Sequence, residues 1–184
     1  MTARLSRIAQ ATATLTKLKP VWNDRSFSLS SKIRLMRSLV TSIFLYACES
    51  WTLTAELKRM IKVMEMRCYR KVLRISYTDH VTNEKVCAKT QQATGPYEDP
   101  LTIVKRRKLQ WYGHVSRSSG LAKTILQCTV KGRRRQGRQR KRWEDNIREW
   151  AGPEFVKSQR AVENREKWRK LVAKSSVVPQ RPSR

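Results

Sequence analysis

Acid is scarce in this sequence. Across 184 residues, 14 Asp and Glu face 41 Lys and Arg, and the resulting net charge of +27 repels itself in a compact state unless a polyanion or an acidic partner screens it. Cysteine is sparse as well. Cys48, Cys68, Cys87 and Cys128 stand far apart, and neither His80 nor His114 completes a C-x2-C or H-x3-H pair. That spacing predicts no zinc site and no disulfide framework, and no cofactor is expected. Long hydrophobic runs are missing. The longest, Leu39 to Cys48, is about half of the ~20 residues that cross a bilayer and is broken by Thr41 and Ser42, so no membrane partner is expected. Nothing at the N-terminus resembles a signal peptide, which predicts a nuclear or cytoplasmic protein that is not secreted.

What is present is enough apolar material to fold. Hydrophobic residues make up 39% of the chain, six of them Trp, so the charge sits on a folded protein rather than on a basic tail alone. Phosphate neutralisation is the commonest use of such a cation excess, and the expected partner is RNA or DNA, bound largely without regard to sequence.

The apolar spacing is helical throughout. Leu5, Ile8, Leu15 and Leu18 outline a helix over 4–19 that closes before Pro20. A second follows the Ser28 to Ser31 capping region and carries Ile33, Met36, Val40, Ile43 and Ala47 on one face. Thr54 is placed to cap a third, in which Leu57, Met60, Ile61, Met64, Cys68 and Val72 keep the i, i+3, i+4 rhythm. Trp51, Leu57, Met60, Ile61 and Met64 are expected in the core. Thr82 caps a short helix to about Thr90, and Gly95, Pro96 and Pro100 mark a loop. Leu101, Val104, Trp111 and Val115 outline a long helix ending near Gly120, with Lys105, Arg106, Arg107 and Lys108 expected on its exposed face. The segment KTILQCTVKG, rich in β-branched residues, reads as an extended connector. Trp143, Ile147 and Trp150 predict an amphipathic helix stopped at Gly152 and Pro153, and a last helix carries Ala161, Trp168, Leu171 and Val172. SSVVPQRPSR has too little apolar surface to offset its ordering entropy.

Sites for catalysis are hard to find. PYEDP at 96–100 superficially resembles the Tyr-x-Asp-Asp of polymerases, but two-metal chemistry needs carboxylates held between apolar strands, and prolines flank these. Glu56 and Lys58, with Asp24 upstream, have the form of half a nuclease motif but fall on the polar side of their helix. His114 has no Ser, Cys or carboxylate in an obvious relation to it, and packing or phosphate contact suits it better than general-base work.

The densest feature is KGRRRQGRQRKR at 131–142, eight cations in twelve residues. Lys131, Arg133, Arg134, Arg135, Arg138, Arg140, Lys141 and Arg142 repel one another when alone, while Gly132 and Gly137 let the backbone follow a phosphate track. With Lys105 to Lys108 and His114, these are the candidate nucleic-acid-binding residues. The same run suits a nuclear-localisation signal.

Six stretches, RLSRIAQATATLTKLKPVW, KIRLMRSLVTSIFLYACESWTLT, MEMRCYRKVLRISYTDHVTNEKV, KRRKLQWYGHVSR, GRQRKRWEDNIREW and RAVENREKWRKLV, together resemble, in order, the C-terminal part of non-LTR retrotransposon endonuclease-reverse transcriptases. The likeness spans roughly residues 4 to 173. It implies that Arg7, Ile8, Leu18, Trp22, Leu45, Tyr46, Glu49 and Trp51 belong to a helical thumb, and that the later stretches form a basic region gripping template RNA and primer or target DNA. Met1 stands where the palm would just have ended, so neither the palm aspartates nor the endonuclease is expected, and no residue carries over as catalytic. The expected protein is mainly α and not an enzyme by itself: thumb-like helices over 1–54, a helical middle at 55–120, an extended connector and basic arm at 121–142, a Trp-rich terminal helix pair at 143–173 and a disordered tail at 174–184. Two alternatives stay open. One is a helix-turn-helix or Myb-like DNA reader, suggested by the spacing of Trp150 and Trp168. The other is a piece of an active polymerase polyprotein.

Overall fold

Local capping and turn chemistry set where helices start and stop. In a computed structural model that describes residues 2–96, 98–127, 137, 140–152 and 162–176, all regular structure among those residues is helical, as the apolar spacing predicts. Helix α1 (Thr2–Lys17) ends ahead of Pro20, and α2 (Lys19–Asn23) restarts with that proline in its first turn, where a missing N–H costs nothing. The Ser28 hydroxyl accepts from the Ser31 N–H at 3.1 Å and starts α3 (Leu29–Met36), which runs through a π turn at Arg37–Thr41 into α4 (Ser42–Phe44). The longest helix, α5 (Ala55–Leu73), follows Thr54. The Thr82 hydroxyl accepts from the Lys85 N–H to begin α6 (Asn83–Thr94), and α7 (Pro100–Arg117) follows.

Two expectations change at the next elements. Residues 121–127 form helix α8 (Leu121–Gln127) and not an extended connector: Leu121, Ala122, Lys123, Leu126 and Gln127 all favour helix and outweigh β-branched Thr124 and Ile125. Most of the remaining connector and arm, 128–136 and 138–139, lies outside the described residues. Helix α9 (Trp143–Ala151) is closed by Gly152 at φ 77, whose N–H reaches the Arg148 carbonyl at 3.2 Å in a conformation glycine adopts without strain. Helix α10 (Arg165–Ser176) runs three residues into the segment expected to be a disordered tail, because Leu171 and Val172 anchor its last turns in the core; 177–184 are outside the described residues.

The chain divides into two compact units, Met1–Tyr46 with Ala55–Leu101 and Ala47–Thr54 with Thr102–Arg184. This division crosses the segments 1–54 and 55–120: helix α5 joins the first unit, and residues 47–54 join the second. The break falls at Ala47, which is left-handed at φ 55.

In the first unit, the π turn after α3 packs on α1 and α4, and α5 and α6 pack on α3. Leu15, Trp22, Ile33, Val40, Ile61 and Val86 are buried in its core. Leu57 and Met64 are buried as expected, while Met60 is half-buried. Cys68 is a small core residue on the same face. The Trp22 indole N–H donates to the Leu15 carbonyl at 2.9 Å, and the last carbonyls of α2 take cations: Lys32 Nζ donates to Trp22 and Asp24, and the Arg74 guanidinium to Trp22 and Asn23. Those two cations tie α3 and the end of α5 to the end of α2.

The second unit closes around Leu109, Tyr112, Ile147, Val162, Trp168 and Val172, with Trp143, Trp150 and Leu171 half-buried against them. Helices α9 and α10 therefore share their core with α7. Trp51 and Leu53 are buried here, and the Trp143 indole N–H donates to the Glu49 carbonyl at 2.7 Å.

Candidate nucleic-acid interface

The four consecutive cations of α7 cannot share one face, because a helix turns about 100° per residue. Arg107 is exposed and sits near Cys48, opposing the upward push that burial gives that thiol. Lys105 and Arg106 are half-buried, and the Lys105 ammonium lies 5.7 Å from the centre of the Trp150 ring. Lys108 is fully buried, which corrects the expectation that it lines an exposed face. Its Nζ donates to the Trp51 carbonyl at 2.7 Å and to Asn146 Oδ1 at 2.9 Å, and lies 4.4 Å from the Trp143 ring centre. Such an ammonium is already neutralised by oxygens and a π face and does not reach a phosphate in this arrangement. His114 is exposed on α7.

Lys131, Arg133, Arg134, Arg135 and Arg138 lie outside the described residues. Arg140, Lys141 and Arg142 are described and exposed. The Arg142 N–H donates to the Asp145 carboxylate at 2.6 Å, and Lys141 pairs with Glu149 at 2.5 Å. The end of the basic run is thus joined to the first turn of α9, with the Arg140 and Arg142 side chains in solvent.

The first unit carries a second concentration of cations that sequence reasoning missed. Along α5, Lys58, Lys62 and Arg70 form one row at i, i+4 multiples, with Arg74 just past the helix end, and Arg59, Arg67 and Lys71 form the neighbouring row. All seven, with Lys19 of α2, line a groove of about 1240 Å³ whose apolar lining includes Val63, Met66, Ile75 and Leu101. Three carboxyls, Glu65, Glu84 and Asp99, also line it. The signal was available: the polar side of α5 is almost wholly basic after Glu56, apart from Glu65, at a spacing that makes stripes.

Glu65 is the unusual member. It is 9% exposed, its Oε1 is buried without a hydrogen-bond partner, and Asp99 lies near, paired to Lys62 at 3.7 Å. Burial, then the Asp99 charge, pushes its carboxyl up from 4.5 to about 8, against the opposing pull of Lys62 and Arg37. Between those values the folded chain keeps a proton that the unfolded chain has released, so stability falls as pH rises from about 4.5 and levels off above about 8. Glu65→Gln removes this penalty. At pH 7 it should stabilise the chain by up to about 3 kcal/mol, with little change at pH 4.5. Urea melts by circular dichroism at both pH values check this, and a variant that keeps the parent's pH slope would show that Glu65 is ionised in the folded state.

Over 120 residues, 64% of its length, the chain is 28% identical to an uncharacterized transposon-derived protein of Caenorhabditis elegans. It covers 43% of that relative. The likeness supports a transposon-related origin. No family model matches the chain, and no solved structure does. Among the described residues, no helix is long and apolar enough to cross a membrane.

Proposed function

We propose that the chain is the nucleic-acid-binding C-terminal part of a retrotransposon-type reverse transcriptase, an RNA-directed DNA polymerase, and that this part holds RNA and DNA without catalysing phosphoryl transfer itself. The observation that carries this is the net charge of +27, with its densest clusters in the run ending at Arg142 and along α5. The transposon-derived relative and the six ordered stretches support the same origin. Binding by phosphate neutralisation needs no particular base sequence, only cations that can approach the backbone, and Arg140 and Arg142 are exposed to do so. In this reading Trp143 and Trp150 serve the arm by packing.

The test is a salt titration of binding to two unrelated sequences. Replacing Arg133, Arg134, Arg135, Arg138, Arg140 and Arg142 with Gln should weaken binding to both about equally. It should also flatten the dependence of log affinity on log salt by roughly 0.7 to 0.9 for each lost contact. A variant that keeps the parent's slope would make the run a localisation signal. Loss on one sequence alone would favour the helix-turn-helix or Myb-like alternative.

A further inference from the structure

We propose that the groove along α5 binds single-stranded nucleic acid, with phosphates on the row of Arg59, Arg67 and Lys71 and a base stacked on Tyr77. This rests on the nucleic-acid reading above and assigns a strand type and a stacking residue to a different surface. Tyr77 is 92% exposed, an unusual position for an aromatic ring. It is held in a short 3₁₀ turn, Tyr77–Asp79, that is locked at both ends. The Ser76 N–H donates to the Asp79 carboxylate at 2.7 Å, the Ser76 hydroxyl accepts from the Thr78 N–H at 3.4 Å, and His80 closes the turn at φ 46. The Tyr77 and His80 ring centres are 6.2 Å apart. The turn therefore holds an aromatic residue in solvent on an ordered backbone.

The position of that ring gives the turn a use. Ile75 and Ser76 line the groove, and Tyr77 is the next residue in the chain, outside the lining itself. From Lys58 to Lys71 the rows extend about 20 Å, at 1.5 Å per residue, with cation steps of about 6 and 12 Å within each row. At the positions that interrupt the rows, Val63 is 62% exposed and Met66 is half-buried. A duplex presents its phosphates outward and has no use for an apolar floor, whereas a single strand turns base faces toward one. Charge complementarity with aromatic and aliphatic surface favours single-stranded RNA or DNA over an acidic peptide, because every nucleotide brings both an anion and a flat ring. Arg70 and Arg74 are already committed to carbonyls of Val81, Trp22 and Asn23, and Lys62 to Asp99, so the exposed cations Arg59, Arg67 and Lys71 carry the phosphate contacts.

The experiment measures fluorescence anisotropy of labelled oligothymidylate, oligouridylate and a duplex of equal length. It compares the full chain with Tyr77→Ala, Tyr77→Phe, the triple Arg59→Gln/Arg67→Gln/Lys71→Gln and the six-arginine arm variant. Tyr77→Ala should lose about fivefold or more in affinity for both single strands, keep its duplex affinity and keep its salt slope. Tyr77→Phe should bind like the parent. The triple variant should flatten the single-strand salt slope by roughly 0.7 per contact. Single-strand affinity unchanged in Tyr77→Ala and in the triple variant, or equal losses on duplex, would overturn the groove assignment. If the arm variant alone then loses binding, the nucleic-acid reading stands without the groove. A parent chain that binds none of the probes would overturn both.

Discussion

Asn146→Ala is expected to destabilise the second unit by about 4 kcal/mol. Asn146 is fully buried and uses both ends of its amide. Oδ1 accepts from the Leu53 N–H at 2.7 Å and from Lys108 Nζ at 2.9 Å, while Nδ2 donates to the Leu53 carbonyl at 3.0 Å. Truncation leaves a backbone N–H and carbonyl unpaired at Leu53, which is itself 1% exposed, and takes an oxygen from a buried ammonium. Each orphaned backbone group costs about 1 to 3 kcal/mol, and the cation more. Lys108→Met is the informative companion. It removes the charge together with its desolvation cost and keeps both Leu53 bonds, so it should cost much less than Asn146→Ala. Urea unfolding followed by tryptophan fluorescence reads mainly this unit, which holds Trp51, Trp111, Trp143, Trp150 and Trp168. If Lys108→Met proves the costlier change, the ammonium and not the amide is the centre of the network.

This network also shows where sequence reading stops. Ser28 and Thr82 announce helix starts because an N-cap acts on N–H groups two or three residues away, and the stripe from Leu57 to Val72 is a single-helix pattern. Information of that range lies within the local sequence. Lys108 stands in a run of four cations; its spacing from Val104 and Val115 puts it on the apolar side of α7, unlike Arg107, but a lysine at such a position usually reaches back to solvent. Its burial depends on Trp51 and Asn146, 57 and 38 residues away in the chain. The assignment of residues 47–54 to the second unit is equally non-local, since Leu53 meets Asn146 across 93 residues. The rows of α5 are a different case. Their i, i+4 spacing is written in the sequence, but the denser run at 131–142 draws attention first, and only the packing of α2 and α6 near α5 turns the rows into a groove wall.

Gly113→Ala should likewise cost about 2 to 4 kcal/mol, although alanine is the better helix former by about 1 kcal/mol. Gly113 lies inside α7, where helix propensity alone would favour any other residue but proline. The absent side chain is what the fold uses: a Cβ there would stand 2.2 Å from Trp168 Nε1 and 2.4 Å from its Cδ1. Trp168 has little room to retreat. It is 3% exposed, its indole N–H donates to the Leu109 carbonyl at 3.0 Å, and its ring centre lies 5.7 Å from that of Tyr112. The methyl therefore displaces a buried indole, breaks its hydrogen bond and loosens α10 from α7. The diagnostic measurement is a double-mutant cycle with Trp168→Leu, which is itself destabilising because it empties ring volume from the core. If the clash is the cause, Gly113→Ala added to Trp168→Leu should cost far less than in the parent, and the coupling should exceed about 1 kcal/mol. Its sign could even reverse, since the new methyl would then partly fill the vacated space and the helix-propensity gain would remain. A single Gly113→Ala variant that melts higher than the parent would mean that the indole does not pass over this glycine, and that α10 reaches the core by another route.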